Sequence, residues 1–200
     1  NNNYGFLRFD YSGHGLSSNN LNETCFTDWY NDAEFLIKKL TTGKQILIGS
    51  SMGGWVMLML CKLLPQKVSA MIGLAPAPDF PQNLIWKNMN PLQRRQLILN
   101  KSINFVDQNG SNNFFSYNLI KDSFKNLTLS DDIFFEGPIN IYHGMKDQDV
   151  PYTMSIEILK KIKGSQNVSL LLDKEAGHRL SENDQLCTII DIIKKTLRDI

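Results

Sequence analysis

Serine, aspartate and histidine stand in this chain in an order and spacing that could perform nucleophilic acyl chemistry. Gly49-Ser50-Ser51-Met52-Gly53 matches G-x-S-x-G, with a short apolar strand-like run before it and an apolar helix-like run after it. In that setting the serine sits on a sharp strand-to-helix turn. The positions two before and two after it must be small, which Gly49 and Gly53 satisfy, and Gly54 lets the helix pack closely. The turn would lift the Ser51 hydroxyl clear of the sheet and point the Met52 backbone N–H at a developing oxyanion from a helix N-terminus. Ser50 is one position early for this geometry.

A serine hydroxyl needs a neighbouring base to take its proton. The chain has three histidines, His14, His143 and His178. Hydrolases with this turn carry their triad in the chain order Ser, Asp or Glu, His. His178, in the loop Glu175-Ala176-Gly177-His178-Arg179 after the last predicted strand, is the expected base. His14 reads as a loop-ordering residue, and His143 as an organiser of the turn after its strand. The acid must accept an N–H from the base and hold its tautomer. His143-Gly144-Met145-Lys146-Asp147-Gln148-Asp149-Val150-Pro151 offers two candidates. Asp147 lies nearer the strand and is the expected acid, while Asp149 suits a cap for the next helix. No His or Cys cluster accompanies either, so neither reads as a metal ligand, and no cofactor is expected.

These residues require a scaffold that brings distant loops together. Buried, β-rich runs are expected at Gly5–Phe9, Gln45–Ile48, Val68–Leu74, Ile139–Tyr142 and Val168–Leu172. Helical patterns lie between them. Thr27 is the expected cap of a helix carrying Trp29, Ala33, Leu36, Ile37 and Leu40, which Gly43 stops. Met52–Leu64 is apolar nearly all round, and Tyr152–Ile162 is amphipathic. A last helix from Ser181 turns Leu186, Ile189, Ile190, Ile193 and Leu197 inward. Strand–helix alternation predicts an α/β fold, a mostly parallel sheet with helices on both faces. The stretch from Pro76 to Gly137 is too long for a plain connection. It reads as a helical cap insertion at 76–137 between core segments 1–75 and 138–200. It holds helical patterns near Pro91–Leu99 and Tyr117–Phe124. It also holds Phe80, Phe105, Phe114, Phe115, Phe124, Phe134 and Phe135, seven of the eleven phenylalanines, which either line an acyl tunnel or fasten the cap to the core.

Composition narrows the partners. Lys plus Arg is 21 and Asp plus Glu is 20 in 200 residues, so nothing electrostatic favours nucleic acid or an anionic membrane. No apolar run reaches the length of a membrane span, and no export signal is visible. Cys25, Cys61 and Cys187 are odd in number and widely spaced, which reads as buried thiols in a cytoplasmic or mitochondrial-type interior.

The strings Leu7-Arg8-Phe9-Asp10-Tyr11-Ser12-Gly13, Gly49-Ser50-Ser51-Met52-Gly53-Gly54-Trp55 and His143-Gly144-Met145-Lys146-Asp147, the last followed by Val150-Pro151, resemble the α/β-hydrolase-fold family. They are most similar to the subgroup of mitochondrial palmitoyl-protein thioesterases that also cleave acyl-glucuronides, with their bacterial relatives. The resemblance spans essentially the whole chain. It implies Ser51, Asp147 and His178 as the triad, small helices capping an acyl pocket, a small-molecule or acylated-protein substrate, and no cofactor. Such domains begin with three strands before the one expected at Gly5–Phe9, and the loop after the third supplies a second oxyanion N–H. The sequence therefore reads as N-terminally truncated, its first strands missing. Loss of that donor would cost about 3–4 kcal/mol of transition-state stabilisation, so weak activity is expected, with recovery once an upstream segment is restored. Two readings outside esterase or thioesterase chemistry remain: a non-catalytic binding protein of this fold, and a peptidase or carbon–carbon bond hydrolase sharing the triad.

Overall fold

A computed structural model describes residues 4–106 and 112–200. Phe105, whose side chain lies outside the described set, is the one phenylalanine of the inserted stretch that cannot be placed. The central sheet has four strands, all parallel, in the order β1 (Gln45–Ser50), β2 (Val68–Leu74), β6 (Ile139–Gly144), β8 (Val168–Asp173). Gly5–Phe9 is not among them, contrary to the sequence reading. A strand exists by virtue of a partner's N–H and C=O groups, and this segment pairs with none of the described strands. Phe6 is largely exposed, and β1 forms an edge of the sheet.

The two faces are legible in β6. Ile139 and Ile141 join the cluster built on α2 (Met52–Leu63) and α5 (Thr153–Lys161). Asn140 and Tyr142 point the other way, to α6 (Asn183–Arg198), where Asn140 Nδ2 donates to Thr196 Oγ1 at 2.9 Å and Tyr142 packs with Ile189 and Ile192. Alternation of this kind is what a strand covered on both sides requires. That registry corrects the expected inner face of α6. Ile189, Ile192 and Thr196 face the sheet, while Leu186 and Ile190 are about half exposed. The apolar arc of the helix is wider than the sheet surface it covers.

α2 is buried on all sides from Gly54 to Cys61, as its composition requires. Met57, Leu58 and Cys61 serve one cluster, and Trp55, Val56, Met59 and Leu60 serve the other. Trp55 stacks on Phe26 at 3.4 Å and 7°. Phe26 opens α1 (Phe26–Leu40), which starts one residue before the expected cap. Thr27 is inside the helix. Its N–H and hydroxyl both donate to Asp122, at 2.9 and 2.8 Å, so a distant carboxylate satisfies the first turn. Of the cysteines, Cys25 and Cys61 are buried, but Cys187 is exposed on α6.

Between β2 and β6 the chain forms two short helical turns over residues 81–88, then α3 (Pro91–Asn100), the hairpin of β3 (Ser102–Val106) and β4 (Asn112–Ser116), α4 (Tyr117–Ser123) and β5 (Ile133–Phe135). β5 pairs with β7 (Ile162–Gly164), and Ile133 and Phe135 join the core with α2 and α5. Ile162, expected to end α5, belongs to that strand.

Asp79 ties this segment down. It is buried, adopts φ +56°, and accepts Thr128 N–H at 2.7 Å and Leu129 N–H at 2.9 Å, one on each oxygen. Thr128 Oγ1 in turn accepts Trp55 Nε1–H at 2.8 Å. Burial pushes the Asp79 carboxyl up in spite of those two backbone donors. Asn tolerates the same left-handed backbone but would turn an NH2 toward a buried N–H. Asp79→Asn is expected to lower stability by about 1–3 kcal/mol, read as a lower urea midpoint with an unchanged slope.

Candidate active site

Ser51 has φ +50° and ψ −119°, a strained backbone for a residue with a Cβ. The turn is held by Ser51 N–H to Leu74 O at 2.9 Å, and by Gly54 and Ala77 N–H groups donating to Ser51 O at 2.9 and 3.0 Å. The glycines around it divide the work unevenly. A Cβ on Gly49 would meet Gly53 O at 2.3 Å, and one on Gly54 would meet Pro76 Cβ at 2.4 Å. A Cβ on Gly53 would meet only Tyr11 Oη, at 3.8 Å, which is ordinary contact. The sequence reading asked smallness of Gly53 and close helix–strand packing of Gly54. In the structure Gly54 makes room for Pro76, and Gly53 matters for where its own carbonyl lies. Met52 opens α2, so its N–H has no intrahelical acceptor.

Asp147 and His178 come from loops at the same end of the sheet. Gly144 lets those loops touch, since a Cβ there would lie 2.2 Å from Ala176 O. Met145 N–H donates to Asp173 O at 2.7 Å and Lys146 N–H to Ala176 O at 2.9 Å, and Lys146 also pairs with Glu175. His178 is thereby set between two partners. Its Nδ1 lies 2.7 Å from Asp147 Oδ2 and its Nε2 lies 2.9 Å from Ser51 Oγ. Nδ1 faces a carboxylate and carries the proton, leaving the Nε2 lone pair for the serine hydroxyl.

Asp147 is fully buried at its side chain. Oδ1 accepts the N–H groups of Asp149 at 2.9 Å and Val150 at 2.8 Å, and Oδ2 accepts His178 and also His143 Nε2 at 3.0 Å. Burial alone would raise this carboxyl, but the hydrogen bonds from His143, His178 and Val150 outweigh it and hold Asp147 well below the usual carboxylate range. The bond to Asp147 pushes the His178 imidazolium up, against a smaller opposing effect of burial.

The structure thus brings Ser51, Asp147, His178 and the Met52 N–H together. Asp149 is exposed and does not cap α5, which has Tyr152 at its N-cap position and no side-chain cap. The ligand-type atoms of Asp147, Asp149 and His178 lie within 4.8 Å of one another. Every lone-pair site of Asp147 already meets an N–H, so the group is built as a hydrogen-bonded relay and not as a cation cage. His14 orders its loop as expected, with Nδ1 3.3 Å from Ser12 O and its ring edge-on to Trp29. Sequence reasoning missed the second histidine on Asp147 and the steric role of Gly144. The adjacent pair His143-Gly144, four and three residues before Asp147, carried that signal.

A family profile described as serine aminopeptidase, S33, matches residues 1–114. The chain belongs to this family of α/β-hydrolases. This α/β-hydrolase chain is 32% identical over 198 residues to the mitochondrial palmitoyl-protein thioesterase ABHD10 of Rattus norvegicus, covering 96% of the chain and 66% of the relative. The chain therefore spans just under two thirds of that relative's length. Among solved structures, a hydrolase from Agrobacterium vitis S4 superposes with a TM-score of 0.89 at 32% identity, covering 94% of the chain and 75% of that structure. The mouse α/β hydrolase domain-containing protein 10 gives 0.82 at 32% identity, covering 94% and 77%. Among the described residues no helix is long and apolar enough to cross a membrane.

Proposed function

We propose that this α/β-hydrolase is a serine hydrolase cleaving a carboxylic ester or acyl thioester. The observation that carries the reading is the unbroken line Ser51 Oγ, His178 Nε2 at 2.9 Å, His178 Nδ1, Asp147 Oδ2 at 2.7 Å. Ser51 Oγ attacks the acyl carbon while His178 Nε2 takes its proton. The carbonyl oxygen becomes an oxyanion at the Met52 N–H. Collapse expels the alcohol or thiol, which takes the proton from His178 and leaves an acyl-Ser51 ester. Water then gives a proton to His178 and attacks that ester, and the acid departs as Ser51 recovers its proton.

The substrate class rests on two supports. The relatives named above include a palmitoyl-protein thioesterase. Met52, Phe80, Phe115, Leu119 and Tyr11 also share one apolar cluster beside the turn, where an acyl chain would lie. The segment carrying α3, β3, β4 and α4 is the cap in this reading. Phe134 and Phe135 take no part. They lie near Ser69 and Gly137, at the end of β2 remote from Ser51, and Phe124 faces Trp86 at the surface.

A fluorophosphonate probe tests the reading. It labels the chain and fails to label Ser51→Ala, and labelled chain loses thioester and ester hydrolysis together. Equal labelling of both proteins, or none with either, would overturn it. The pH profile follows from the raised His178. The base works only when neutral, so activity falls as the pH drops through its pKa. The acid limb of kcat/KM is expected to have its midpoint above the ordinary imidazole value of about 6.5, measured with a saturating-range series of an acyl thioester.

A further inference from the structure

Asp147 serves two imidazoles through one oxygen. His143, at the C-terminal end of β6, is completely buried. Its Nε2 is 3.0 Å from Asp147 Oδ2 and 3.0 Å from Val150 O. Its Nδ1 is 2.6 Å from Ser155 Oγ on α5. The geometry assigns the proton. Nε2 faces a carboxylate and a carbonyl, both acceptors, so it bears the hydrogen. In the neutral ring Nδ1 then accepts from the Ser155 hydroxyl. A continuous relay therefore runs Ser155, His143, Asp147, His178, Ser51, from a helix with no other role in the site to the nucleophile.

We propose that His143 is a positioning residue for the triad, which fixes Asp147 from behind and limits the basicity of His178 by drawing charge from the oxygen they share. The proposal rests on the triad reading above. A carboxylate oxygen that donates electron density to two N–H groups stabilises each less than it would one alone. Removing His143's N–H concentrates charge on the bond to His178 and favours its protonated form. The charged groups facing His178 are Asp147 and Asp149 from the loop after β6 and Arg179 beside it, with the Lys146–Glu175 pair bridging the two loops at the surface. Of these, Asp147 is the one that His143 touches, so a change at His143 reaches His178 through that carboxylate.

The chain's three histidines make imidazole NMR a direct readout. In His143→Leu the His178 titration midpoint is expected to rise by about 0.5–1 pH unit, and the acid limb of kcat/KM to move up with it. His143→Gln, which can place an amide N–H near the lost Nε2–H, is expected to restore both close to wild type. Ser155→Ala weakens the His143 donor without removing it and is expected to shift His178 the same way by less. It is also the deciding variant should His143→Leu not fold. An unmoved His178 midpoint in folded His143→Leu, or in Ser155→Ala alone if that is the variant that folds, would overturn the proposal and leave His143 as a packing residue. The midpoint is read without turnover. A chain that shows the shift but takes no fluorophosphonate would sink the hydrolase reading alone, and a labelled chain without the shift would sink this proposal alone.

Discussion

Asp147→Asn is expected to lower kcat for acyl hydrolysis about 10⁴-fold, the scale seen when the acid of such a triad becomes an amide. The cause can be followed atom by atom. Asp147 receives four N–H groups, two on each oxygen. An asparagine has one acceptor oxygen and one NH2, so either orientation turns the NH2 toward two donors. If it faces the imidazoles, His178 must flip its tautomer to accept at Nδ1. That puts the proton on Nε2, where it blocks the Ser51 hydroxyl. If it faces Asp149 and Val150, two backbone donors lose their partner, and the Val150 N–H, the more buried of the two, costs about 1–3 kcal/mol. The loss in kcat comes from the flipped tautomer, with KM little changed because the acyl group does not touch this carboxylate, whereas the second orientation would show as lost stability. The check is steady-state kinetics beside a thermal melt. A folded Asp147→Asn with more than a tenth of wild-type kcat would remove Asp147 from the acid's role and return attention to Asp149.

Gly49→Ala is expected to lower hydrolysis and probe labelling by about 10²-fold or more, while Gly53→Ala leaves both near wild type. The two glycines look equivalent in the G-x-S-x-G string. In the folded chain a Cβ on Gly49 would sit 2.3 Å from Gly53 O, 2.6 Å from Gly53 C and 2.7 Å from Gly54 N. All three are backbone atoms of the first turn of α2, so relief requires the turn itself to move. Overpacking of this kind costs about 1–3 kcal/mol or more. A displacement of about 1 Å at a nucleophile costs on the order of 10²-fold in rate, and here the Met52 N–H moves with Ser51. Paired alanine variants, measured for both stability and probe labelling, give the contrast. Equal loss in the two would mean that the string demands smallness at both positions for a reason other than contact at Cβ.

Much of this molecule was written in local sequence. The elbow string, bounded by apolar runs, specified strand β1, helix α2 and the residue between them. The buried parallel strands at Val68–Leu74 and Ile139–Gly144 were readable because strands covered on both faces must be apolar almost throughout, whereas Val168–Asp173, apolar enough to be expected buried, forms the other edge of the sheet and is exposed or half-buried along its length. The order Ser51, Asp147, His178 selected the residues that the tertiary structure then brings to 2.9 and 2.7 Å. Tertiary structure decided what depends on a neighbour. Gly5–Phe9 has strand composition but no partner ladder among the described residues, and a strand is a paired object. α6 has a broad apolar arc, and only registry with Asn140 and Tyr142 chose which part of it is buried. Thr27 has the chemistry of a cap, yet Asp122, 95 residues away, supplied the acceptor. His143 looked like a turn residue in sequence. Its second role exists only because Asp147, Val150 and Ser155 converge on one buried ring. Residue type and spacing determined which groups were available for chemistry, since those are covalent properties of the chain. Packing decided which groups share a proton, since a hydrogen bond is set by distances of a few tenths of an ångström that no one-dimensional pattern contains.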